Sequence, residues 1–229
     1  GLYAASGSPE KVNAQRRQLL DRLLSCQQVD GSFSWMPGLR GRYSVTVRIL
    51  NLLETLRPYS TALSDQELDR KEQLLRDRAF LYLQKNFRNG AVVPEPLRLT
   101  PTPDETDFLW LAACHLGADK ALEDPSVKDA VDGLARQSAT LPYMRKIAAA
   151  RTLYAYGRDK EALACMNSVA EHLVTDSLGC RYFDTAFWGS AAGEQRLLLH
   201  LAALDMFRAL QPEQIERIQG MQQWVLLQK

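Results

Sequence analysis

Apolar positions recur at helical spacing along most of the chain. Over residues 9–28, Val12, Leu19, Leu20, Leu23 and Leu24 make one stripe, with Ser8 placed to cap and Pro9 at the first helical position. Asp30-Gly31 ends that helix. Residues 43–56 predict a second, with Val45, Ile49, Leu52, Leu53 and Leu56 on its buried face and Pro58 as its stop. The third is predicted over 64–86, with Ser64 as cap and Glu67 at the capping-box spacing; Leu68, Leu74, Leu75, Phe80, Leu81 and Leu83 are its candidates for burial. Residues 89–103 hold Gly90, Pro94, Pro96, Pro101 and Pro103, which predicts a long loop. Six more helices follow: one from Asp104 through "DFLWLAACHLG", then 126–138, 142–156, 160–174 and 191–210, and a last one that Pro212 opens. No segment alternates apolar and polar residues over strand length, so the pattern predicts an all-α protein.

The interruptions are as informative as the helices. "LLSCQQ", "FLYLQKN", "GLARQSA" and "WVLLQK" each end a helix with apolar residues near a glutamine, and Gln27, Gln84 and Gln137 are 57 and 53 residues apart. Two loops are alike: Asp30-Gly31-Ser32-Phe33-Ser34-Trp35 and Leu178-Gly179-Cys180-Arg181-Tyr182-Phe183 each follow a helix, turn at glycine and present aromatics. A degenerate helical-hairpin repeat of this kind predicts an α/α toroid, complete or incomplete, in which inner and outer helices alternate around a ring. Phe33 and Trp35 would then wedge between helix ends, each large enough to bury ~150–250 Å².

Composition narrows the function classes. Lys+Arg is 28 against Asp+Glu 27, a net charge of +1, without the basic surplus of a nucleic-acid binder. No apolar run reaches the ~18 residues of a membrane span. Cys26, Cys114, Cys165 and Cys180 form no Cys-x-x-Cys pair, His115, His172 and His200 are scattered, and no metal site or cofactor is expected; the thiols read as buried small apolar groups.

"LLSCQQVDGSFSWMPGLRGRYSVTVRILNLLETL" resembles a stretch of bacterial alpha-2-macroglobulin-like proteins, in which a helix leads to Asp-Gly-Gly/Ser-Phe-x-Trp-x-Pro-Gly-Gly and then to a helix carrying a tyrosine, as Tyr43 does here. "YFDTAFWG" and "WVLLQK" look like further segments of that family. Gln-x-x-Asp-Gly-Ser-Phe also resembles the Gln/Trp repeats of terpenoid cyclases and prenyltransferase β-subunits, which share the toroid. The resemblance implies the thioester-type domain of a multidomain protease inhibitor outside the cytoplasm, in the periplasm or at the cell surface. Its partners would be the other domains of the parent chain and, for the parent, attacking proteases. The opening Gly1-Leu2-Tyr3 and the ending "WVLLQK" fit a single domain over 1–229 cut from that longer chain. A thioester needs Gln three residues after Cys, and the residues there are Val29, Gly117, Ser168 and Phe183, so no thioester is expected. "AAGEQ" (191–195) imitates the motif with Ala192 in the cysteine's place.

Three sets of side chains remain as candidates. Trp35, Arg40, Arg42 and Tyr43 make a candidate binding site, in which Arg40, Arg42 and Arg48 could take an anion or a partner's carboxylates. Asp104, Glu105 and Asp107 in "PDETDF" could bind Mg²⁺ or include a proton donor, although Thr106 breaks the Asp-x-Asp-Asp pattern and acidic residues are favoured at a helix start anyway. Asp184 and Glu194, beside Tyr182, Phe187 and Trp188, are the nearest thing to a glycosidase pair. The expectation is a non-catalytic helical domain; the alternative is a toroid enzyme acting on an isoprenoid or glycan.

Overall fold

A computed structural model describes residues 9–60, 65–88, 101–184 and 193–227. Among these residues ten α-helices account for the architecture and the one sheet is a two-stranded hairpin, so the protein is all-α. Two compact units divide the chain, Gly1–Val92 and Val93–Lys229.

The first unit contains α1 (Pro9–Cys26), α2 (Tyr43–Ser60) and α3 (Gln66–Asn86). Ser64 lies outside the described residues; the cap is Asp65, whose carboxylate accepts the Glu67 and Leu68 amides. Pro58 does not stop α2 at once: the helix runs on to Ser60, since a proline in the last turn disturbs few remaining bonds. The faces also differ from those predicted. Leu52 and Leu56 of α2, Leu74 and Leu81 of α3 and Leu19 of α1 are exposed. The inward stripe of α2 is Val47, Leu50 and Glu54, and that of α3 is Leu68, Glu72, Leu75, Arg76, Ala79, Phe80 and Leu83. Buried polar side chains set both phases, so an apolar count alone rotates the stripe.

Those charges form one network across three helices. Arg16 of α1 donates to Asp69 at 2.7 Å and to Glu72 at 2.5 Å; Arg76 pairs with Glu72, with Glu54 at 3.4 Å and with the Leu53 carbonyl at 3.0 Å; Arg57 reaches Glu54 at 3.5 Å. Three cations thus face three carboxylates, so no net charge is buried.

The second unit contains α4 (Pro103–Leu116), α5 (Ala118–Ala121), α6 (Pro125–Gln137), a 3-10 turn (Ser138–Thr140), α7 (Tyr143–Ala155), α8 (Asp159–Ala170), β1 (Leu173–Thr175), β2 (Arg181–Phe183), α9 (Gly193–Leu210) and α10 (Ile215–Leu226). Its core draws on α6 to α10 and β2, with Leu134, Ile147, Leu153, Met166, Phe183, Phe207 and Met221 buried. Ala149, Ala150 and Ala162 let α7 and α8 approach closely. The helix predicted over 160–174 ends at Ala170, because β-branched Val174 and Thr175 pair instead with Tyr182 and Arg181. Pro212 opens a turn rather than a helix, and α10 begins at Ile215.

The two loops that look alike in sequence turn in the same way. The Gln28 amide donates to the Ser32 carbonyl at 2.8 Å and the Gly31 amide to Gln28 at 3.0 Å; the Asp176 amide donates to Cys180 at 3.1 Å and the Gly179 amide to Asp176 at 3.1 Å. Both glycines have positive φ, +91° and +80°, which the turn requires.

Candidate interaction surface

The segment between α1 and α2 is built from the inside outward. Phe33 is wholly buried and bridges Gln27 on one side and Arg42 on the other. Its amide donates to Thr46 Oγ1 at 2.8 Å, and that hydroxyl donates to the Arg42 carbonyl at 2.8 Å, which ties the segment to the first turn of α2. From α3, Arg78 donates to the carbonyls of Gln28 and Val29 at 3.1 and 3.2 Å. The Gln27 side chain donates through Nε2 to the Leu75 carbonyl at 3.0 Å. Gly31 lies so close to α3 that a Cβ there would sit 2.1 Å from the Arg78 carbonyl oxygen.

Beyond Phe33 the chain bends. Ser34 is buried: its amide donates to Cys26 at 3.1 Å and its hydroxyl to the Met36 carbonyl at 2.7 Å. The Leu39 amide closes the next turn on Met36 at 3.2 Å. This bend corrects the expected packing of Trp35, which is 67% exposed. Phe33 takes part in two isolated bridges, not in a strand, so the inward side of the chain does not alternate as far as Trp35. Met36 and Leu39 are exposed beside it at 61% and 51%. Arg40 and Arg42 are exposed too, and Tyr43 is half-buried at the start of α2. Among the described residues neither arginine, nor Arg48, forms an ion pair with a carboxylate. The structure therefore gathers the four predicted binding residues around one turn and adds two that apolar periodicity did not single out, Met36 and Leu39.

The acidic candidates occupy the first turn and a half of α4. Thr102 and Glu105 form a reciprocal capping box: the Thr102 hydroxyl accepts the Glu105 amide and the Glu105 carboxylate accepts the Thr102 amide at 2.7 Å. Asp107 pairs with Arg151 at 3.4 Å, and that guanidinium lies over the Trp110 ring at 3.8 Å. Asp104 is half-buried in the same turn. Among the described residues no group of three or more His, Cys, Asp or Glu side chains could hold a metal ion. No described helix is long and apolar enough to cross a membrane.

Of the remaining candidates, Asp184 follows β2, while Phe187, Trp188, Ala192 and the side chain of Glu194 lie outside the described residues. Cys165 and Cys180 are buried as expected and their thiols are pushed up by burial; Cys26 is half-buried, and Cys114 is exposed because its helix turns that position outward. His200 is fully buried on α9, 4.3 Å from the Trp224 ring and 5.7 Å edge-on to Phe183. Its Nε2 lies 3.3 Å from the Met221 carbonyl, so the proton belongs there, and Nδ1 has no hydrogen-bond partner.

Compared with known proteins, the chain matches no family model and no curated relative.

Proposed function

We propose that this chain is a non-catalytic docking module: the helical, thioester-type domain of a bacterial alpha-2-macroglobulin-like protease inhibitor, built as an α/α toroid and working outside the cytoplasm. The observation that carries the docking role is the Gln27–Tyr43 segment, whose polar backbone is bonded inward while Trp35, Met36 and Leu39 are held outward. Its sequence is also the stretch that resembles the family. The toroid draws support from the two matching turns, each placed after one helix and before an 18-residue helix, α2 or α9, that leads into another. The alternative, an isoprenoid- or glycan-processing toroid, asks the α4 carboxylates to face a substrate, yet Glu105 is engaged by the helix cap and Asp107 by Arg151.

The test is made on the parent polypeptide with its flanking sequence. The proposal expects β-sandwich domains around this one, and a protease exposed to the parent that stops cleaving a large protein while still cleaving a small peptide. Turnover of a prenyl diphosphate or an oligosaccharide by this chain would overturn it.

A further inference from the structure

We infer that the Trp35–Arg42 turn and the outer stripe of α2 dock an acidic protein segment that also carries apolar side chains. This deepens the docking role proposed above by naming the partner's chemistry, and it stands on three observations independent of the family.

The first is the apolar turn. Trp35, Met36 and Leu39 stand in solvent on a backbone held by Ser34 and Met36, so little conformational entropy is lost when a partner covers them. The second is the helix that follows. Leu52 and Leu56 are exposed at one-turn spacing on α2, and Arg48 precedes them by another turn on the same face. The third is charge. Between Asp30 and Glu54 the sequence carries Arg40, Arg42 and Arg48 and no acidic residue, in a chain of net charge +1. The acids at either end are engaged: Asp30 accepts the Ser32 hydroxyl at 2.6 Å, and Glu54 is buried between Arg57 and Arg76. Among the described residues Arg40, Arg42 and Arg48 form no ion pair with a carboxylate of this chain. All three cations are arginines, which grip carboxylates in a bidentate fork, and Trp, Met and Arg are the residues enriched at protein interfaces.

The experiment is a fluorescence-anisotropy titration of the chain with a labelled amphipathic peptide bearing a leucine face and glutamates along its flanks. Alongside it go the same peptide with glutamine for glutamate, and phosphatidylglycerol vesicles. Binding of the glutamate peptide should weaken with salt, and should fall about tenfold or more for Trp35→Ala and for Arg42→Glu/Arg48→Glu. Leu178→Ala, an exposed apolar residue of the other unit, should leave it unchanged. Circular dichroism of each variant keeps misfolding apart from lost contact. No peptide binding, equal binding of the glutamine peptide, indifference to Trp35→Ala, or binding to vesicles in place of peptide would each overturn the inference. Protease trapping reads the parent chain and this titration reads the surface, so either can fail without the other.

Discussion

His200 shows how much one buried side chain can contribute. Enclosed by Phe183 and Trp224, it finds a hydrogen bond only through Nε2. Burial disfavours the imidazolium and lowers its pKa from 6.5 to about 4, against a smaller opposing effect of the Met221 carbonyl. The native state holds this ring neutral, while the unfolded chain protonates it below its ordinary pKa. The stabilisation is therefore complete above 6.5 and is lost as the pH falls from there to about 4, where the folded protein also takes up the proton. The loss amounts to roughly 3 kcal/mol at ~1.4 kcal/mol per pKa unit. Denaturant unfolding at stepped pH should show this slope, and His200→Phe should remove it; an unchanged pH dependence in that variant would assign the acid sensitivity elsewhere.

Between residue and element stand the two glycine turns, which share a bond pattern and differ in surroundings. Gly31→Ala meets a positive φ and the Arg78 carbonyl together, whereas a Cβ on Gly179 would meet nothing within 4 Å. Thermal unfolding should therefore register about 1 kcal/mol for Gly179→Ala and more than about 3 kcal/mol for Gly31→Ala. Equal costs would mean that α3 yields at the close approach. The ion network makes a second element-scale prediction. Arg76→Leu removes the buried guanidinium that faces both Glu54, whose side chain is only 4% exposed, and Glu72. The expected cost is about 3–5 kcal/mol, and adding Glu54→Leu should recover much of it, because the penalty comes from a buried carboxylate deprived of its buried cation. A double variant no more stable than the single would show that the two sites are not coupled.

Across the whole molecule, each compact unit has its own buried residues: Leu50, Leu68, Leu75 and Leu83 in the first, Ile147, Leu153, Met166 and Phe207 in the second. Residues 93–229 expressed alone should keep helical circular dichroism and a cooperative thermal transition, since that core draws only on its own helices. A non-cooperative melt would show that the second unit depends on the first.

The all-α class and most helix limits were legible in the residue order, because helical periodicity, caps and prolines act over a few neighbouring positions. The shared turn of the two glycine loops was legible for the same reason: a left-handed residue at a fixed place in a short bonded ring is a local demand. The arginines and tryptophan around residues 35–42 were visible as types, but whether they faced inward or outward was not. That choice fell to partners outside the segment: Thr46 capturing the Phe33 amide and Arg78 clamping the turn at Gln28 and Val29. An apolar count assigns Leu52 and Leu74 to the interior and Glu72 and Arg76 to the surface, and the fold reverses all four. Burial energy depends on what a side chain meets after the chain has closed on itself, and meetings between residues far apart along the chain leave no periodic trace in the sequence.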